Sequence, residues 1–113
     1  MPIPTLSALA QATEVLPHLK KADLRTGDHV FLRTANSEYQ IKVVGRDTFV
    51  VWGGWFRRKG MDGSRVRVTG STFGGCAVRT DLLAACGLCV EFGNRVVTSR
   101  VREIVVLGAA MLN

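Results

Sequence analysis

Three groups of residues in this chain have side chains at spacings that chemistry can use. Cys86-Gly87-Leu88-Cys89 is a CxxC, the spacing at which two thiolates share a metal ion or close a redox disulfide. A redox pair needs a helix N-terminus to lower a thiol pKa, whereas Cys86 ends an apolar run and Cys89 enters a strand-like one. A zinc site would take Cys76 as third ligand and would leave only His18 or His29 for the fourth. Packing as small apolar residues is therefore the expected role of the three cysteines. Gly70-Ser71-Thr72-Phe73-Gly74-Gly75 is glycine-rich enough for successive N–H groups to nest an anion, but it lacks the Lys-Ser/Thr ending of a phosphate loop. Glycines that permit a bulge or close strand packing are the simpler reading. The third group is Trp52, Trp55 and Phe56 directly ahead of Arg57-Arg58-Lys59. It sets flat rings beside positive charge, the pairing that holds single-stranded nucleic acid with phosphates on cations and bases on aromatic faces, while the simpler reading is that the rings belong to the core and the cations to a solvated loop.

The charge distribution points to the same place. Fifteen Lys and Arg against nine Asp and Glu leave +6 over 113 residues. Residues 51–70 hold five cations, Arg57, Arg58, Lys59, Arg65 and Arg67, and one acid, Asp62, so they supply +4 of that +6. An anionic partner is expected there first. No nucleophile elbow, paired-carboxylate pattern or His-rich metal motif is present, so the expectation is a non-catalytic protein with no cofactor. The longest nearly apolar stretch, Ile104 to Leu112, has nine residues, well short of the roughly 20 that span a bilayer. No membrane segment and no export signal are expected, which reads as a cytoplasmic protein with reduced cysteines.

Elements that would position these groups follow from periodicity. Leu6, Leu9, Ala10 and Leu16 are spaced as on one helix face, which predicts a helix over 5–16 that Pro17 stops. Residues 18–28 are polar and read as a linker, so that residues 1–27 form an N-terminal helix and linker and residues 28–113 the body of one domain. From Val30 the period becomes two. Val30 and Leu32 pair as a hairpin with Tyr39, Ile41 and Val43 across a turn at Asn36-Ser37. Phe49 to Trp52 reads as a central strand that Gly53-Gly54 bends, and 57–64 as a charged loop. Asp81 to Ala85 reads as a helical turn capped by Thr80. Leu88 to Phe92, Val96 to Thr98 and Ile104 to Leu107 complete the strands. Six to eight short strands joined by Gly-bearing turns predict a mostly β fold, a small antiparallel barrel or strongly curled sheet with an N-terminal helix.

From Gly27 to its C-terminus the chain resembles a family of small bacterial β-domains through Arg33-Thr34-Ala35-Asn36-Ser37-Glu38-Tyr39, Gly70-Ser71-Thr72-Phe73-Gly74-Gly75 and Thr98-Ser99-Arg100-Val101-Arg102. That resemblance implies one domain and brings no activity with it. Val30, Leu32, Asn36, Ile41, Gly45, Asp47 and Phe49 after a helix are faintly similar to the first motif of Sm-like RNA-binding proteins, with Ser37 where that motif has glycine. The second Sm-like motif is not found after Val66, which leaves a structural analogy to a small barrel.

Two functions follow from these residues. In the first, the domain binds RNA or single-stranded DNA, or another polyanion, with phosphates on Arg57, Arg58, Lys59, Arg65 and Arg67 and a base on Trp55. Alternation puts Arg65 and Arg67 on one strand face about 7 Å apart, with Val66 and Val68 on the other. In the second, the domain is a homo-oligomeric structural or interaction protein, because the apolar tail from Ile104 to Leu112 would leave a sticky patch on a monomer.

Overall fold

Period-two patterning from His29 onward does build strands, and their inward residues share one core. The computed structural model describes residues 16–73 and 77–109. In chain order these form β1 (His18–Lys20), a 3-10 turn (Lys21–Asp23), β2 (His29–Thr34), β3 (Glu38–Gly45), β4 (Thr48–Gly53), α1 (Gly54–Arg58), β5 (Ser64–Val66), β6 (Val68–Thr72), β7 (Val78–Arg79), β8 (Leu82–Ala85), β9 (Cys89–Phe92) and β10 (Val101–Leu107). A five-stranded sheet has the order β10-β2-β3-β4-β5, a three-stranded sheet the order β7-β6-β9, and β1 pairs with β8. Every named strand pair is antiparallel.

Register decides what each face carries. Val30 stands opposite Ile41, which stands opposite Val51, while Leu32 stands opposite Tyr39 and Ile104. These residues are buried and meet Val68, Val90, Phe92 and Leu83 from the other strands in one hydrophobic cluster. Fully burying one such side chain stabilises the fold by about 1.5–3 kcal/mol. The opposite face of the five-stranded sheet carries His29, Lys42 and Arg65 in register across β2, β3, β4 and β5, with Val50 between Lys42 and Arg65.

Helix α1 is held by rings. Phe56 is fully buried and meets Phe92 edge-to-face at 5.1 Å and Tyr39 edge-to-face at 6.5 Å. The chain can turn from β4 into α1 over the Tyr39 ring because Gly53 (φ 94) and Gly54 (φ 47) have no side chain. A Cβ on Gly53 would overlap the Glu38 carbonyl, and one on Gly54 would overlap the Tyr39 ring.

Several expectations need correction. The described strands form three antiparallel sheets and no closed barrel. The expected N-terminal helix lies outside the described residues except for Leu16, which is not helical, and the one α-helix among the described residues is the five-residue α1. Residues 18–28 are not only a linker, since His18–Lys20 pairs with β8. The expected helical turn at Asp81 to Ala85 is strand β8, with all four of Leu82 to Ala85 buried, because pairing with β1 and a place in the core outweigh the helix propensity of Leu and Ala. The expected single strand from Arg65 to Val68 is broken at Arg67, where the chain passes from the five-stranded to the three-stranded sheet. Among the described residues no helix is long and apolar enough to cross a membrane.

Candidate nucleic-acid interface

With Phe56 turned into the core, the next residues of α1 are forced outward, and Arg57, Arg58 and Lys59 are all exposed. The loop behind them is tied down rather than free. Asp62 Oδ1 accepts the Gly53 N–H at 2.7 Å, and Asp62 Oδ2 accepts Arg57 Nε at 3.0 Å. These bonds, the Gly53 N–H first and the Arg57 side chain next, hold the Asp62 carboxyl below its ordinary pKa. Gly63 N–H then donates to Val51 O at 2.9 Å, which starts β5 along the edge of β4.

The six residues expected to bind are thus distributed unequally. Arg57 is ion-paired with Asp62, and Arg58 Nη1 donates to Ser37 Oγ at 3.0 Å. Lys59 is exposed beside them at the end of α1. Arg65 is exposed on β5 opposite Val50, and Arg67 is 79% exposed with its guanidinium 3.9 Å from the Asp47 carboxylate. Arg65 and Arg67 keep the expected outward exposure while Val66 and Val68 turn in, but they do not share one strand. Trp55 is half-buried, packs against the core and lies edge-on to Phe56 at 5.3 Å, so it is less available for stacking than its place after two glycines suggests.

Beside α1 is an open cleft of about 560 Å³ lined by Arg33, Asn36, Ser37, Glu38, Arg57 and Arg58 among others. Arg33 and the β2–β3 turn were not part of the sequence expectation for the site. The signals for them were the turn-forming Asn36-Ser37 pair and the resemblance through Arg33 to Tyr39, neither of which says what the turn faces. Arg33 Nε donates to Glu103 Oε1 at 2.6 Å across the β2–β10 pair. A second cleft, of about 450 Å³, lies near Lys21, Arg25 and Arg46. Lys21 is committed to structure there, its Nζ donating to Val68 O at 2.6 Å and Thr69 O at 3.2 Å.

The cysteines are not buried as expected. Cys86 is exposed and Cys89 half-buried, and both are free thiols. Partial burial, and then the Glu103 charge, push the Cys86 thiol above its ordinary pKa, which disfavours the reactive thiolate. Cys76 lies outside the described residues, and among those residues no three His, Cys, Asp or Glu side chains are grouped to hold a metal ion. Comparison of the chain with protein-family models, with curated proteins and with solved structures found no match.

Proposed function

We propose that this domain is a non-catalytic binding module for RNA or single-stranded DNA. The observation that supports it best is that Arg58, Lys59 and Arg65 are exposed along α1 and the β4–β5 edge and make no ion pair among the described residues. Arg57 and Arg67 are exposed as well, each beside one carboxylate. Cations not neutralised by neighbours are the ones that release counterions from a phosphate backbone, and that release makes binding favourable and salt-dependent. Phosphates would be met by these five side chains, and half-buried Trp55 beside them is the base contact the sequence suggests. A homo-oligomeric role has weaker support, because Ile104 and Val105, in the tail that motivated it, are buried within the chain.

The test is fluorescence anisotropy with labelled RNA and DNA strands of about 12 nucleotides at ~50 mM salt. Binding at micromolar protein is expected. Arg58→Glu with Lys59→Glu should weaken it by about tenfold or more while the thermal midpoint stays near the parent value, as exposed charges change stability by less than about 0.5 kcal/mol. Absence of binding by the parent protein overturns the reading, and an unchanged affinity in the double variant overturns the placement.

A further inference from the structure

The large apolar side chain most exposed to water among the described residues is Phe73, at 64%, and neither tryptophan. It stands just past the end of β6, and the Arg100 guanidinium lies over its ring, 4.6 Å from the centroid. A ring with a cation on it and most of its surface in water contributes little to a core, yet it is what base stacking requires.

Arg100 is held in place by a network that reaches the cleft. Its Nη1 donates to Gly87 O at 3.1 Å, and its backbone carbonyl accepts the Ala35 N–H at 2.9 Å. Ser99 Oγ accepts the Asn36 N–H at 3.0 Å and donates to Thr34 Oγ1 at 2.7 Å. The β2–β3 turn gripped in this way presents Ser37 Oγ to Arg58. Contacts therefore run without a gap from Phe73 through Arg100, Ser99 and the turn to Arg58 on α1. Arg100 joins the turn through its backbone at Ala35, and Arg58 through its side chain at Ser37.

We propose that the β2–β3 turn, with Arg58 on one flank and the Arg100–Phe73 pair on the other, is the seat of single-stranded nucleic acid, and that the base-stacking side chain is Phe73. This rests on the nucleic-acid reading above and names the base contact of that site. Glu38 on the cleft rim, with Glu103 beside Arg33 and Asp62 beside Arg57, offsets part of the positive charge here. Stacking has to supply a large part of the affinity here, and a strand without bases should bind poorly.

The experiment compares a labelled oligonucleotide of about 12 bases with an abasic strand of the same length, on the parent protein, Phe73→Ala, Phe73→Trp and Arg100→Gln. Phe73→Ala should weaken the base-bearing strand by about tenfold and leave the abasic strand unchanged, Phe73→Trp should restore binding, and Arg100→Gln should weaken both strands. Because Phe73 is exposed, the thermal midpoint should not move. Equal loss on both strands, or no loss on either, in Phe73→Ala overturns stacking at Phe73 while leaving nucleic-acid binding in place. Failure of the parent protein to bind either strand overturns the functional reading itself.

Discussion

Replacing Gly54 with alanine tests how α1 is mounted, and Gly60 provides the control. Both glycines have positive φ, 47° at Gly54 and 67° at Gly60, so an alanine at either pays for a left-handed backbone, about 1–2 kcal/mol. At Gly60 a new Cβ meets nothing within 4 Å, and the cost should stop there. At Gly54 the same Cβ overlaps the Tyr39 ring, which is itself buried against Phe56 and Phe92. Forcing atoms into such packing adds about 1–3 kcal/mol, so Gly54→Ala should cost about 2–5 kcal/mol in all. At roughly 4 °C per kcal/mol for a domain of this size, its thermal midpoint should fall by about 8–20 °C, against about 4–8 °C for Gly60→Ala. Urea denaturation followed by near-ultraviolet circular dichroism measures both. Equal costs for the two variants would mean that Tyr39 does not pack over Gly54 and that α1 is mounted differently.

Three other perturbations separate parts of the account. Lys21→Met removes two hydrogen bonds to the first residues of β6, where the chain changes sheets, and should cost about 1–2 kcal/mol in urea denaturation; no measurable loss would show that the crossing does not depend on them. Burial first, and the Lys42 charge next, lower the pKa of His29, so its contribution to stability is full above its ordinary value near 6.5 and is lost as pH falls from there through the lowered value. A nuclear magnetic resonance titration of His29 should therefore show a midpoint below 6.5, and one at or above that value contradicts the burial. Glu38→Gln removes an acid from the cleft rim and should tighten oligonucleotide binding severalfold at low salt, whereas weaker binding would place the strand away from the cleft.

Alternation was enough to read the β2–β3 hairpin and its inward residues, although it did not show that Phe31 and Gln40 on the outward face are buried as well. β8 was not legible, because four consecutive buried apolar residues carry no period and Leu and Ala also favour helix. β1 was hidden for the opposite reason, since only Leu19 of its three residues is buried. The run Arg57-Arg58-Lys59 was legible as surface charge, but how far Trp55 is buried was not, because Gly53 and Gly54 reset the direction of the chain just before it. Phe73 over Arg100 was out of reach of any local pattern. Its two residues lie 27 positions apart and are linked through β9, where Thr72 stands opposite Cys89 and the Val101 N–H donates to Leu88 O.

The salt dependence of affinity for a single strand tests the central claim most directly. For a single strand, log K falls with log salt at a slope of about −0.7 per phosphate neutralised, so three to five contacts from the exposed cations give a slope of about −2 to −3.5. Anisotropy titrations of the parent protein from ~50 to ~200 mM salt should return such a slope. A slope near zero, or no binding at the low-salt end, would contradict a phosphate-binding surface on α1 and the β4–β5 edge.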